Sequence, residues 1–118
     1  MSDLQLIDYD VINTLSSELG MTPAEALPLF LDSLENDVTQ SLSEMDLALE
    51  SSNSVRLQRA AHKIKGGCKT LGAIGVATIA EEMETTDYGD MMDIAAKKVQ
   101  QLKEAWQVSI VELHKAAS

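Results

Sequence analysis

Gln58-Arg59-Ala60-Ala61-His62-Lys63-Ile64-Lys65-Gly66-Gly67-Cys68-Lys69-Thr70-Leu71-Gly72 is the stretch from which the rest of the chain is read. At helical period one face, begun by Leu57, carries Ala60, Ala61, Ile64, Gly67, Cys68 and Leu71, a stripe fit only for a core. The opposite face carries Gln58, His62, Lys65, Gly66 and Lys69. Residues three and four apart on a helix are neighbours, so His62, Lys65 and Gly66 form one patch. Each glycine costs a helix interior about 1 kcal/mol relative to alanine, so the Gly66-Gly67 pair needs a reason. At Gly66 the reason is a bare spot where another backbone can come close.

Outward from this stretch the chain reads as helices. Residues 1–7 are expected to be a loose leader. Asp8 caps a short helix with Val11, Ile12, Leu15 and Leu19 on its apolar face, stopped by Gly20. Thr22-Pro23-Ala24-Glu25 is a capping box with proline at the first helical position. The helix it starts runs to Glu50 through Leu27, Phe30, Leu31, Leu34, Val38, Leu42, Met45 and Leu49, loosened at Pro28, which lacks a backbone donor. Ser51–Ser54 is a turn, with Asn53 or Ser54 capping the central helix, and Gly72 ends that helix. A further helix takes 73–86 with Ile74, Ala77, Ile79, Ala80 and Met83 inward. Thr85–Gly89 is a loop, Asp90 caps the last helix, and Ala95, Val99, Leu102, Trp106, Ile110 and Leu113 form its seam. The expected fold is all-α: one domain over residues 1–118, four long helices in an antiparallel up-down four-helix bundle, and the short N-terminal helix covering one end.

A chain of 118 residues is long enough for a hydrophobic core without metals or disulfides. Aromatic residues are scarce (Tyr9, Phe30, Tyr88, Trp106), which favours helix over sheet. The single cysteine, Cys68, lies on the apolar face and reads as a small buried hydrophobe in a reduced, cytoplasmic protein. No apolar run approaches the ~20 residues of a membrane span, and the acidic start is not a signal peptide. The Met start, capped ends and absence of a linker point to a free-standing protein.

The net charge of −10 argues against nucleic acid and anionic membrane as partners. Residues 51–80 contain no Asp or Glu yet hold Arg56, Arg59, Lys63, Lys65 and Lys69, five of the nine basic residues. The remainder carries −15 and the central stretch +5. Such a patch suits docking and phosphate handling; without a histidine at its centre it would be a solvated helix face.

The run Ala61-His62-x-x-Lys65-Gly66-Gly67-Cys68-x-x-Leu71-Gly72-Ala73, followed by Val76, Ile79, Met83 and Glu84, resembles the signature of histidine-containing phosphotransfer (HPt) domains. The motif spans about 24 residues, and the hydrophobic layout of the flanking helices extends the likeness along nearly the whole chain. The resemblance implies a phosphocarrier in a histidine–aspartate relay, serving response-regulator receiver domains and a sensor (hybrid) histidine kinase. It implies a monomer with no cofactor of its own, the Mg²⁺ and acceptor aspartate being supplied by the receiver.

The residues fit that chemistry. His62 is the candidate phosphoacceptor: only neutral imidazole has a free lone pair, and an unperturbed ring is mostly neutral near pH 7.5. Lys65, one turn on, can lie against phosphoryl oxygens and offset their charge. Lys69 and Arg59 are placed for docking, and Gln58 for lining the site. No Gly-x-x-x-x-Gly-Lys-Ser/Thr loop is present, and no carboxylate cluster for a metal lies on the site face, so autophosphorylation is not expected. Imidazole presenting one nitrogen to phosphorus needs the other held by an acceptor. About ten residues up to Gly72 and ten back at ~1.5 Å each bring positions 81–84 beside His62. The resemblance assigns that acceptor to Glu84, which by composition alone reads equally as a solvated acid near a helix end. His114, in the last turn of the last helix, where a cation is favoured and no partner is expected to converge on it, reads as structural. The competing function is a non-catalytic acidic bundle that only binds a regulatory partner.

Overall fold

A computed structural model describes residues 5–118, in which six helices carry the chain. They are α1 (Tyr9–Glu18), α2 (Pro23–Ala26), α3 (Pro28–Glu50), α4 (Ser54–Thr70), α5 (Ile74–Glu84) and α6 (Met92–Ala116). Among the described residues there is no strand, and no helix is long and apolar enough to cross a membrane.

The boundaries follow from local chemistry. The Asp8 side chain accepts from the Asp10 N–H at 3.0 Å and starts α1. Gly20, at φ +68°, ends it. Thr22 and Glu25 exchange hydrogen bonds as a capping box. Pro28, with no N–H to give, divides the expected helix from residue 22 to 50 into α2 and α3. Leu27 keeps a helical conformation (φ −58°, ψ −43°), so the backbone continues in helix geometry through the break. This is why there are six helices where the periodicity predicts five. The Asn53 carboxamide accepts from the Arg56 N–H at 3.0 Å and caps α4. Gly72, at φ +83°, turns the chain into α5, with the Ala73 N–H reaching back to the Cys68 carbonyl at 2.8 Å.

Around α4 the packing closes into a ring: α3 lies on one side and α5 on the other, and both pack against α6. Leu57, Ala60, Ala61, Ile64, Cys68 and Leu71, the predicted core face, are all buried. Full burial of each leucine or isoleucine contributes roughly 1.5–3 kcal/mol. Gly67 brings α3 close: a Cβ there would meet Leu34 Cδ1 at 3.0 Å. From α6, Ala95, Val99, Leu102, Trp106 and Leu113 complete the core.

Three expectations are corrected. Residues 5–7 are not a loose leader, for Ile7 is buried and the segment is tied to the α4–α5 turn. The Asp8 N–H donates to the Gly72 carbonyl at 2.8 Å, and Leu6 accepts from the Gly75 N–H at 3.1 Å. That turn leaves backbone groups without helical partners, and the N-terminal segment satisfies them. The same expectation for residues 1–4 lies outside the described residues. Asp90 does not cap α6. The Met91 N–H closes a turn on the Tyr88 carbonyl at 2.6 Å, so the cap position falls on Met91 and no side chain caps it. His114 does have a partner, its Nε2 lying 2.5 Å from Glu35 Oε1 on α3.

The two glycines Gly66 and Gly72 make opposite predictions. A Cβ at Gly66 meets nothing within 4 Å, whereas one at Gly72 would sit 2.7 Å from the Asp8 carbonyl in a left-handed conformation. Gly66→Ala is expected to raise stability by ~0.5–1 kcal/mol through helix propensity alone. Gly72→Ala is expected to lower it by more than ~1 kcal/mol. Urea midpoints measure both; equal signs would refute this reading of the two glycines.

Candidate functional site

His62 projects from the middle of α4 with its side chain two-thirds exposed. Its Nδ1 meets Oε2 of Glu84, the last residue of α5. The other oxygen of that carboxylate, Oε1, is 2.6 Å from the Lys65 ammonium. Oε1 is itself shielded from solvent and has no well-aligned donor, so the Lys65 contact is an ion pair in character. One carboxylate thus bridges the two α4 side chains, leaving His62 Nε2 as the ring nitrogen without a protein partner among the described residues.

Glu84 sits there for structural reasons. Helices α4 and α5 pack extensively along one another, as do α3 and α4. Buried small residues are frequent on both helices, Ala60 and Ala61 on α4 and Ala77 and Ala80 on α5. The chain beyond α5 is then fastened back onto α4. Gln58 Nε2 donates to the Thr86 carbonyl at 2.9 Å, and Ser54 Oγ accepts from the Tyr88 N–H at 3.1 Å. Tyr88 is itself buried. Gln58 therefore lies beside the site, but its amide is committed to the loop and not to the imidazole.

The electrostatics follow the geometry. Lys65 first, and His62 second, hold the Glu84 carboxyl below its ordinary range, so it is ionised at neutral pH. In return Glu84 raises the Lys65 ammonium, with a smaller contribution from Glu81. Cys68 is apart from this chemistry. It is fully buried, and desolvation pushes its thiol up to about 12, so it stays protonated and unreactive.

An open groove runs from the site between α3 and α4. Asp37, Ser41 and Glu44 line it from α3, and Arg56, Arg59 and Lys63 from α4, together with His62 and Glu84. Glu44 is held by Arg56 through both carboxylate oxygens. Among the described residues, Arg59, Lys63 and Lys69 have no carboxylate partner, and they flank His62 on an exposed face. Gly66 is exposed with open space above it. Of the residues named from sequence, His62, Lys65 and Glu84 are in direct contact. Gln58, Arg59, Gly66 and Lys69 lie on the same helix and, among the described residues, make no hydrogen bond or ion pair with the ring. The tethers Thr86, Ser54 and Tyr88 escaped the sequence reading. Tyr88, an aromatic in an otherwise polar loop, is the signal that could have found them. Among the described residues no three His, Cys, Asp or Glu side chains come together as a metal site.

The family model described as "Hpt domain" matches residues 25–109, well over half of the chain. No individual curated protein and no solved structure matches it. The matched region contains α3, α4, α5 and most of α6, and with them His62, Lys65 and Glu84, so the chain belongs to the Hpt domain family, whose members act in histidine phosphotransfer during phosphorelay signalling and are phosphocarriers, not kinases.

Proposed function

We propose that the protein is a histidine phosphocarrier that exchanges a phosphoryl group between His62 and the aspartate of a response-regulator receiver domain. The observation that carries this reading is the bridging Glu84 carboxylate, which occupies Nδ1 and turns Nε2 outward from an exposed helix face. In the forward step the Nε2 lone pair attacks the phosphorus of an aspartyl phosphate. The N–P bond forms as the bond to the aspartate oxygen breaks, and the aspartate leaves with that electron pair. The ring becomes cationic unless Nδ1 yields its proton, and Glu84 is placed to hold that proton and stabilise the charge. The reverse step regenerates neutral His62, so the phosphohistidine is a holding state.

Lys65 is proposed to turn toward the arriving phosphoryl oxygens, and Arg59 and Lys69 to guide the acidic rim of a receiver site. Gly66 leaves room for the partner's backbone. The receiver supplies the acceptor aspartate and its Mg²⁺, and a sensor (hybrid) kinase supplies the phosphoryl group at the head of the relay. The protein is read as a cytoplasmic monomer built as one domain, its long helices forming an up-down four-helix bundle capped by α1. The ring of packed helices and the short connections support that arrangement.

His62→Gln is expected to abolish phosphoryl uptake from a phosphorylated receiver and to leave the melting temperature unchanged, since the side chain is exposed. Acid-labile, base-stable label on the protein measures uptake. Label retained in His62→Gln, or lost in His114→Gln, refutes the assignment.

Lys65→Ala is expected to slow transfer by on the order of tenfold or more with docking intact. Gly66→Leu is expected to weaken receiver binding while keeping the fold. Unchanged affinity of the leucine variant for the receiver would show that Gly66 serves something else.

A further inference from the structure

Helix α6 has two seams at three-and-four spacing, and the bundle uses one of them. Ala95, Val99, Leu102, Trp106 and Leu113 face the core and are buried. On the far side Ile94, Lys97, Gln101, Glu104, Val108 and Val111 follow the same spacing, and all are exposed. Ile94, Val108 and Val111 are each about half open to water. This face points away from the site, because α6 packs on α3 and α5 and lies across the bundle from α4. The seam runs over ~26 Å of helix, apolar at its ends and polar in its middle.

The charges on this seam have no ion-pair partner within the chain. Lys98, Lys103 and Lys115 of α6 each meet a carboxylate, and among the described residues Lys97 meets none. Glu104 has only the Gln100 amide, at 3.4 Å. Lys97 and Glu104 stand two turns apart, ~10 Å along the axis, too far to pair with each other. A second α6 laid antiparallel on the first brings them together. With the two-fold axis between the levels of Leu102 and Lys103, Ile94 packs on the partner's Val111 and the Lys97 stem crosses the partner's Val108. Gln101 faces the partner's Glu104, and the Lys97 ammonium reaches the same carboxylate from one turn away. Each of these contacts occurs twice.

Electrostatics select this face for self-pairing. Every Lys and Arg of the chain lies on α4 or α6. Helices α3 and α5 carry acids and no base, and α4 carries bases and no acid, so each of these faces repels its own copy. Helix α6 sets four lysines against Asp93, Glu104 and Glu112 and is close to neutral. We propose that the outer face of α6 is an interaction surface for a second copy of this chain. The two copies form an antiparallel helix pair, held by Ile94 on Val111 and by Lys97 on Glu104 of the opposite copy. In dilute solution the protein is then the monomer read above, and both His62 faces stay free in the pair.

The test is sedimentation equilibrium of the full chain from roughly 5 μM to 1 mM, the range in which small polar interfaces associate. The mass is expected to rise from one chain to two and to stop there. Val108→Glu is expected to hold it at one chain throughout. Lys97→Glu and Glu104→Lys are each expected to weaken pairing on the order of tenfold, because each change strikes twice, and the double variant to recover it. All these positions are exposed, so the variants are expected to fold. For the register, chains carrying Ile94→Cys and chains carrying Val111→Cys are mixed under mild oxidation, where buried Cys68 stays silent. A disulfide between the two kinds of chain is expected.

A single-chain mass at the highest concentration overturns the proposal. A mass that grows past two also overturns it, as the mark of head-to-tail contact between basic α4 and acidic α3. So does a pair untouched by Val108→Glu or by the charge reversals. Disulfides confined to chains of one kind, or none at all, contradict the antiparallel register. No arm uses phosphoryl transfer, so failure of uptake refutes the phosphocarrier reading and leaves this one to its own measurements.

Discussion

The close packing of α5 along α4 is the constraint on which the site depends. A side chain at mid-helix, exposed to water, has no fixed orientation of its own. His62 acquires one because the last residue of the next helix arrives beside it. That arrival draws on buried small residues on both helices, a left-handed glycine at the turn between the helices, and two hydrogen bonds that fasten the following loop to α4. Each belongs to the fold and not to the chemistry, yet each helps to set where Glu84 lies relative to the ring, and a hydrogen bond tolerates little displacement.

The charge pattern is arranged around the same axis. Outside residues 51–80 the chain is strongly acidic, and a few of these acids have cationic partners there: Glu82 with Lys98, Asp46 with Lys103, Glu35 with His114. Exposed pairs of this kind contribute little stability each. Among the described residues, Arg59, Lys63 and Lys69 of α4 remain as cations without a carboxylate partner in the neighbourhood of His62. A partner bearing acidic groups or a phosphoryl group would be drawn to that face, with a dependence on salt that follows screening.

Much of this was legible in the sequence. The core face of α4, the capping box at Thr22, the caps at Asp8 and Asn53 and the helix end at Gly72 follow from periodicity and from residue types with a strong local preference. Counting through a single tight turn brought residues 81–84 beside His62, because an antiparallel helix pair has a nearly fixed rise per residue, and the family resemblance picked Glu84 among them. What escaped depended on contacts between segments distant in the chain. Nothing local about Leu6 and Ile7 announces that the α4–α5 turn leaves backbone groups needing partners. Nothing local about Gln58 shows that its amide is spent on Thr86. Asp90 has a good capping side chain, but the turn closed by Met91 on Tyr88 takes precedence. The division of Glu84 between two neighbours was also hidden, since spacing shows adjacency and not which oxygen goes where.

The central claim is that Glu84 holds Nδ1 and leaves Nε2 to receive phosphorus. Phosphorylating ¹⁵N-histidine-labelled protein from a receiver and recording the ³¹P–¹⁵N coupling locates the N–P bond directly. The account predicts coupling to Nε2 of His62, with Nδ1 retaining its proton toward Glu84. Coupling to Nδ1 of His62, or to either nitrogen of His114, would contradict it.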